Sequence, residues 1–107
     1  LHYPLRRQRQ MCIRDRAGAV NLVRALAIAW AGEGIRVNGI APSLVDTKMT
    51  KVTMDNDERR DRALSRIPLG RFGSVEEMAG VALFLASPLS TYICGQTLIV
   101  DGGLTLT

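Results

Sequence analysis

A single histidine, two cysteines and one tryptophan are scarcities that close off chemistry in this 107-residue sequence. The histidine, His2, sits at the extreme terminus, so neither a zinc site nor histidine-based catalysis is expected. Cys12 and Cys94 lie far apart with no Cys-x-x-Cys spacing, which argues against a disulfide and for a reduced, cytoplasmic setting. No apolar run approaches the roughly 20 residues that a membrane helix needs. No charged segment followed by an apolar stretch marks secretion.

What is present is the composition of a soluble globular chain: 47% hydrophobic and 22% charged residues. The length allows one domain at most, near the lower end for an α/β core. The net charge of +4 resides entirely in residues 1–16, through Arg6, Arg7, Arg9, Arg14 and Arg16 against Asp15. No aromatic residue is interleaved among these arginines and no nucleic-acid reader motif follows, so neither nucleic acid nor a membrane is expected as partner. Residues 1–16 read as a non-native or disordered basic leader, and 17–107 as the fold.

From Ala17 the pattern changes. Val20, Val23, Leu26, Ala27 and Trp30 recur at helical spacing over 17–31, and Gly32 and Gly34 stop the helix. The run from Ile35 to Ala41 is β-prone and ends at Pro42, which cannot continue a central ladder. Between Asp55 and Arg62 acids precede bases, as the helix dipole prefers. The apolar content there (Met49, Val52, Met54, Ala63, Leu64, Ile67) is thin, so a solvated helical excursion is predicted. Pro68 to Gly73 makes a turn. Ser74 with Glu77 forms a capping box that opens a helix through about Ala86, with Val75, Met78, Ala79, Ala82 and Leu85 as its stripe. Gln96–Val100 reads as a strand closed by Asp101-Gly102-Gly103. Two such strands, separated by helices, are expected to pair in parallel through a right-handed crossover. Both are nearly all apolar, as strands covered on two faces are. A two-stranded sheet has little stability alone, which implies missing neighbours for 35–41.

The run Arg36-Val37-Asn38-x-Ile40-x-Pro42, followed by Val45-Asp46-Thr47, resembles the strand and turn beside the nicotinamide ring in short-chain dehydrogenases/reductases. Pro68-Leu69-Gly70-Arg71-x-Gly73-x-x-Glu76-Glu77 is similar to that family's segment after the substrate loop. Gly95-Gln96-Thr97-Leu98-x-Val100-Asp101-Gly102-Gly103 resembles its last strand. The matches keep the family's order over 17–103, and 3-oxoacyl-carrier-protein reductases show the same type. The resemblance implies an α/β fold, an incomplete doubly wound Rossmann-type sheet with its last two parallel strands and their helices. It also implies NAD or NADP as cofactor, a small-molecule carbonyl or alcohol substrate, and a homo-oligomer built through the helix at 17–31 and the region 74–103.

The resemblance further implies what this chain does without. The family's glycine-rich phosphate turn, its Asn-Asn-Ala-Gly stretch and its catalytic Ser would lie upstream. Its catalytic Tyr and Lys positions fall on Cys12 and Arg16. A thiol is shorter than a phenol, and Arg does not substitute for Lys in shape. No catalytic residue and no metal ligand is therefore expected here, and the chain alone is expected to be inactive. The expected cofactor-binding residues are Pro42, Val45 and Thr47, in the loop where a doubly wound sheet binds ligands. Ser43 stands where the family has Gly. Read without the family, the same loop is a strand-end turn with Thr47 capping a helix. Residues 48–66 would form the substrate lid. Cys94 reads as a small packing residue. A non-catalytic fragment or association module without cofactor binding is the alternative.

Overall fold

Residues 17–30 form helix α1 in the structure, a computed structural model that describes residues 17–47 and 55–107. Val20, Val23 and Leu26 are half-buried and Ala27 is buried, so the expected stripe faces inward except at its end, where Trp30 remains 40% exposed. The α-helix tightens into a 3-10 turn at Ala31–Glu33 and stops at Gly34, whose φ of 81° is left-handed. The glycine stop predicted from sequence thus falls on Gly34, two residues after the first candidate.

Strand β1 is Gly39–Pro42 and strand β2 is Thr97–Val100. The Gly39 N–H donates to the Gln96 carbonyl at 2.8 Å, and the Ser43 N–H to the Val100 carbonyl at 3.3 Å. Both numbers rise together along the pair, so the strands are parallel, as expected.

One expectation about β1 needs correction. The strand begins at Gly39 rather than Ile35, because Asn38 pairs with its neighbour through its side chain. Its Oδ1 accepts from the Gln96 N–H at 3.0 Å while its Nδ2 donates to the Ile93 carbonyl at 3.0 Å. Arg36 Nη1 donates to that same carbonyl at 3.2 Å, so Arg36 and Asn38 together clamp the chain ahead of β2. Pro42 is the last residue of the strand, so the run ends there as expected. Donors toward β2 come from alternate residues, Gly39 and Ser43 among them, so the position of Pro42 in this alternation points its nitrogen away from β2. A proline there costs no bond to β2. It blunts the opposite edge, which has no partner among the described residues.

The described residues form two compact units, 17–39 with Thr91–Thr97 and Ile40–Ser90 with Leu98–Thr107. In the first, Gly39 lets α1 approach the strands: a Cβ there would meet Thr97 Oγ1 at 3.0 Å and Val23 Cγ2 at 3.5 Å. Thr97 Oγ1 itself is buried without a hydrogen-bond partner among the described residues. A Cβ on Gly95 would likewise touch Ala27 Cβ at 3.2 Å.

In the second unit helix α2 is Asp57–Arg66, capped by the Asn56 side chain, which accepts from the Arg59 N–H. Asp57 and Glu58 occupy its first turn and Arg66 its last, in line with the charge order. Ile67, counted above among thin apolar content, is in fact one of the two buried hydrophobic residues among those described, the other being Ala27. Helix α3 is Val75–Ala86, and its capping box is formed as predicted. Its inward face differs: Met78, Val81 and Leu85 are half-buried, whereas Val75, Ala79 and Ala82 are exposed. Ser90 is buried and donates to the Leu85 and Ser87 carbonyls at 2.9 and 3.2 Å. After β2, the Asp101 carboxylate accepts from the Gly103 and Thr105 N–H groups at 2.9 and 2.8 Å, which makes it a turn cap.

The strands' apolar faces are only partly covered among the described residues, as the missing neighbours imply. Ile99 is 59% exposed, and Ile28 and Leu83 are also open to solvent. Residues 1–16, the expected leader, and 48–54, part of the expected lid, lie outside the described residues.

Gly70 and Gly102 are both left-handed, with φ of 73° and 65°, but only Gly102 is crowded. A Cβ on it would sit 2.8 Å from Ile67 Cγ2, whereas one on Gly70 meets nothing within 4 Å. Gly70→Ala is expected to cost about 1–2 kcal/mol, the left-handed penalty alone. Gly102→Ala is expected to cost more, and to accelerate hydrogen exchange at the Leu69 amide, which donates to the Gly102 carbonyl at 3.1 Å. Equal effects of the two variants would contradict this packing.

Candidate functional site

The loop that leaves the carboxyl end of β1, Ser43 to Thr47, is held by hydrogen bonds rather than by bulk. At its start Ser43 is tied to Val100, as above. Further on, the Gly73 N–H donates to the Leu44 carbonyl at 3.0 Å and the Asp46 N–H donates to the Gly73 carbonyl at 2.8 Å. These two bonds make Val45 and Gly73 a parallel bridge. They consume the backbone groups of Leu44 and Asp46, so the groups of Val45 itself face away from Gly73. A Cβ on Gly73 would meet Met78 Cε at 3.1 Å, which keeps the segment close to α3.

Gly73 is fixed in turn by charge. Arg71 and Glu77 form a forked pair, Nη1 to Oε1 at 2.7 Å and Nη2 to Oε2 at 2.9 Å. Arg71 Nη1 also donates to the Phe72 carbonyl at 3.2 Å, and Glu77 Oε1 accepts from the Ser74 N–H at 3.0 Å. One carboxylate thereby holds the residues on both sides of Gly73. The Arg71 guanidinium, followed by the Ser74 amide and hydroxyl, pulls the Glu77 carboxyl down to about 2 from its ordinary 4.5.

The expected site residues are contiguous in this loop. Pro42 ends β1 and is exposed, Val45 is half-buried in the bridge, and Thr47 is exposed at the last described position before 48–54. Ser43 adopts no positive φ, since no described residue other than glycine does, so serine carries no strain where the family has glycine. Ser43 and Leu44 also border a cleft of about 790 Å³ whose far wall is α2. Sequence reasoning missed Gly73 as the partner of Val45, although the Pro-Leu-Gly-Arg-x-Gly match contains it. Cys94 is half-buried and not in a disulfide. Among the described residues no helix is long and apolar enough to cross a membrane.

A family model described as enoyl-(acyl carrier protein) reductase matches residues 7–105. The chain belongs to the short-chain dehydrogenase/reductase family. A tropinone reductase homologue of Arabidopsis thaliana is 48% identical over 90 residues, covering 83% of this chain and 34% of its own length. The 3-oxoacyl-[acyl-carrier-protein] reductase of Thermotoga maritima is 47% identical over 92 residues, 86% of this chain and 37% of its own. A crystal structure of a gluconate 5-dehydrogenase from Burkholderia cenocepacia, in complex with NADP and tartrate, superposes with a TM-score of 0.79 at 40% identity. That match covers 85% of this chain and 36% of the dehydrogenase. The chain thus spans about a third of the length of the relatives it matches. The two parallel strands and their helices are part of a short-chain dehydrogenase Rossmann sheet.

The Glu77 pairing sets an acid limit. Its folded-state value lies below the unfolded one, so its stabilisation is present above pH 4.5 and fades as pH falls toward about 2. Hydrogen exchange at the Ser74 amide, which donates to Glu77 Oε1, is expected to be slower in wild type than in Glu77→Gln at neutral pH. The two rates should converge as pH falls from 4.5 toward about 2. A difference unchanged at pH 2 would refute the charge assignment.

Proposed function

We propose that this chain is the C-terminal, nicotinamide-side part of an NAD(P)-dependent oxidoreductase acting on a carbonyl/alcohol pair, and that it transfers no hydride alone. The observation that carries the reading is the pinned loop after β1, in a chain 40% identical to a dehydrogenase crystallised with NADP. Pro42, Val45 and Thr47 take the nicotinamide side. The bridge to Gly73 holds Val45 in place beside the carboxyl end of β1. Pro42 shapes the strand end and Thr47 adds a hydroxyl. When bound, the reduced nicotinamide supplies a hydride. The chain's residues orient it, and proton transfer is left to residues that this chain does not carry. Cys12 and Arg16, at the family's Tyr and Lys positions, do not serve as that dyad. NAD and NADP are both accommodated by this assignment, because the residue that chooses between them belongs to the other half of the fold.

The wider protein is proposed to be cytoplasmic and homo-oligomeric, with association through the helix at 17–31 and the region 74–103. Residues 1–16 are proposed not to contribute to the fold. The exposed Leu22 and Ile28 on α1 and Leu83 on α3 favour a second reading, an association module without cofactor binding.

Mixing the chain with NADH or NADPH and a panel of ketones is expected to give no enzyme-dependent loss of absorbance near about 340 nm, where the reduced ring absorbs. The same chain joined to upstream sequence that ends in Tyr-x-x-x-Lys beside Ala17 is expected to give saturable turnover. Turnover by the chain alone would overturn the inactivity. No turnover by the joined protein would favour the association module.

A further inference from the structure

Helix α2 carries its arginines on two sides. Arg60 turns to the aspartates, at 3.1 Å from Asp57 and 3.9 Å from Asp61. Arg59, Arg62 and Arg66, at i, i+3 and i+7, make no ion pair with any described carboxylate. All three line the cleft of about 790 Å³ together with Ser43, Leu44 and Leu104, and among the described residues no acidic side chain borders it. That volume lies in the range that holds a small molecule. Three like charges within two helical turns repel one another, and that repulsion is relieved when an anion enters. Ser43 adds a hydroxyl to the same cleft, at a position where the resembling enzymes have glycine. No backbone need explains it, since Ser43 has no positive φ. Three guanidinium groups with no described ion-pair partner, a hydroxyl and a cleft next to the nicotinamide-side loop are the elements of a site for an oxyanion.

We propose that this cleft receives the acidic group of the substrate, a carboxylate or a phosphate, so that the oxidoreductase acts on acidic small molecules. The proposal rests on the functional reading above for its link to catalysis, and on α2 alone for the anion. Arg59, Arg62 and Arg66 are the anion's donors, and Ser43 supplies a neutral hydrogen bond. Arg60, held by its aspartates, takes no part.

The test is arginine labelling of the full 107-residue chain by phenylglyoxal at low ionic strength, read by peptide mass spectrometry. The probes are inorganic phosphate, succinate and neutral sorbitol. Phosphate or succinate is expected to slow labelling of Arg59, Arg62 and Arg66 about fivefold or more, with Arg60 changed less than about twofold and sorbitol without effect. Protection by phosphate alone identifies a phosphorylated substrate, and protection by succinate alone a carboxylate. Arg62→Gln is expected to raise the half-protecting anion concentration about tenfold, the value of one charge-assisted bond, and Ser43→Gly about threefold. Arg60 labelling in each variant reports whether α2 is still folded, and Arg62→Lys, which keeps the charge, should fall between wild type and Arg62→Gln. Protection by neither anion, or equal protection of Arg60, overturns the proposal. No cofactor is present in this assay, so its failure leaves the oxidoreductase reading standing. Failure of the turnover experiment likewise leaves an anion site in place.

Discussion

The pairing of β1 with β2 is the constraint on which the remaining structure depends. Its register runs from the Gly39–Gln96 bond to the Ser43–Val100 bond. That register decides which backbone groups of β1 are spent and which face the opposite edge. It also decides where the chain leaves the sheet, and so where a ligand loop can form. Asn38 protects the start of the pairing by bonding both Gln96 and the Ile93 carbonyl. A bare Gly39 lets α1 sit against it. At the other end the loop would be free to wander without its two bonds to Gly73.

Those two bonds tie a candidate binding loop to an electrostatic device some distance along the chain. Glu77 caps α3, holds Arg71 and fixes the turn that presents Gly73. Arg71 and Glu77 are exposed, so their value lies less in net stability than in geometry. A forked pair has one favourable orientation, and that orientation places a backbone donor and acceptor against Leu44 and Asp46. Arg71 and Glu77, in the family-like run from Pro68 to Glu77, are therefore supports for the loop.

What was legible in the sequence follows the range of the interactions involved. The Ser74–Glu77 capping box and the start of α3 were readable to the residue, because both partners lie within one helical turn. β2 was readable to within one residue, and the α1 stripe apart from its last member. The start of β1 was not, since the interruption comes from Asn38 reaching across to Gln96, a contact that no local pattern encodes. The end of β1 at Pro42 was readable, and as the last strand residue Pro42 points its nitrogen away from β2. The bridge between Val45 and Gly73 is long-range and invisible to periodicity. The arginine spacing on α2 was visible, but which side meets a cleft is set by the loop after β1. For α3 the helix was right and its inward face was wrong, because Val81 faces inward while Ala79 and Ala82 stay outside.

The fold also leaves apolar surface uncovered. Only Ala27 and Ile67 among the described hydrophobic residues are buried, while Leu22, Ile28, Leu83 and Ile99 are open to water. Strands that are apolar on both sides belong inside a larger doubly wound sheet, and here the sheet has two. These residues are a slice of such a sheet, and we propose that further protein covers its free edge and faces. Sedimentation velocity of residues 17–107 at micromolar concentration, with the near-ultraviolet dichroism of Trp30, is the test. Associated species and no sharp thermal transition are expected. A monodisperse monomer that unfolds cooperatively would contradict it.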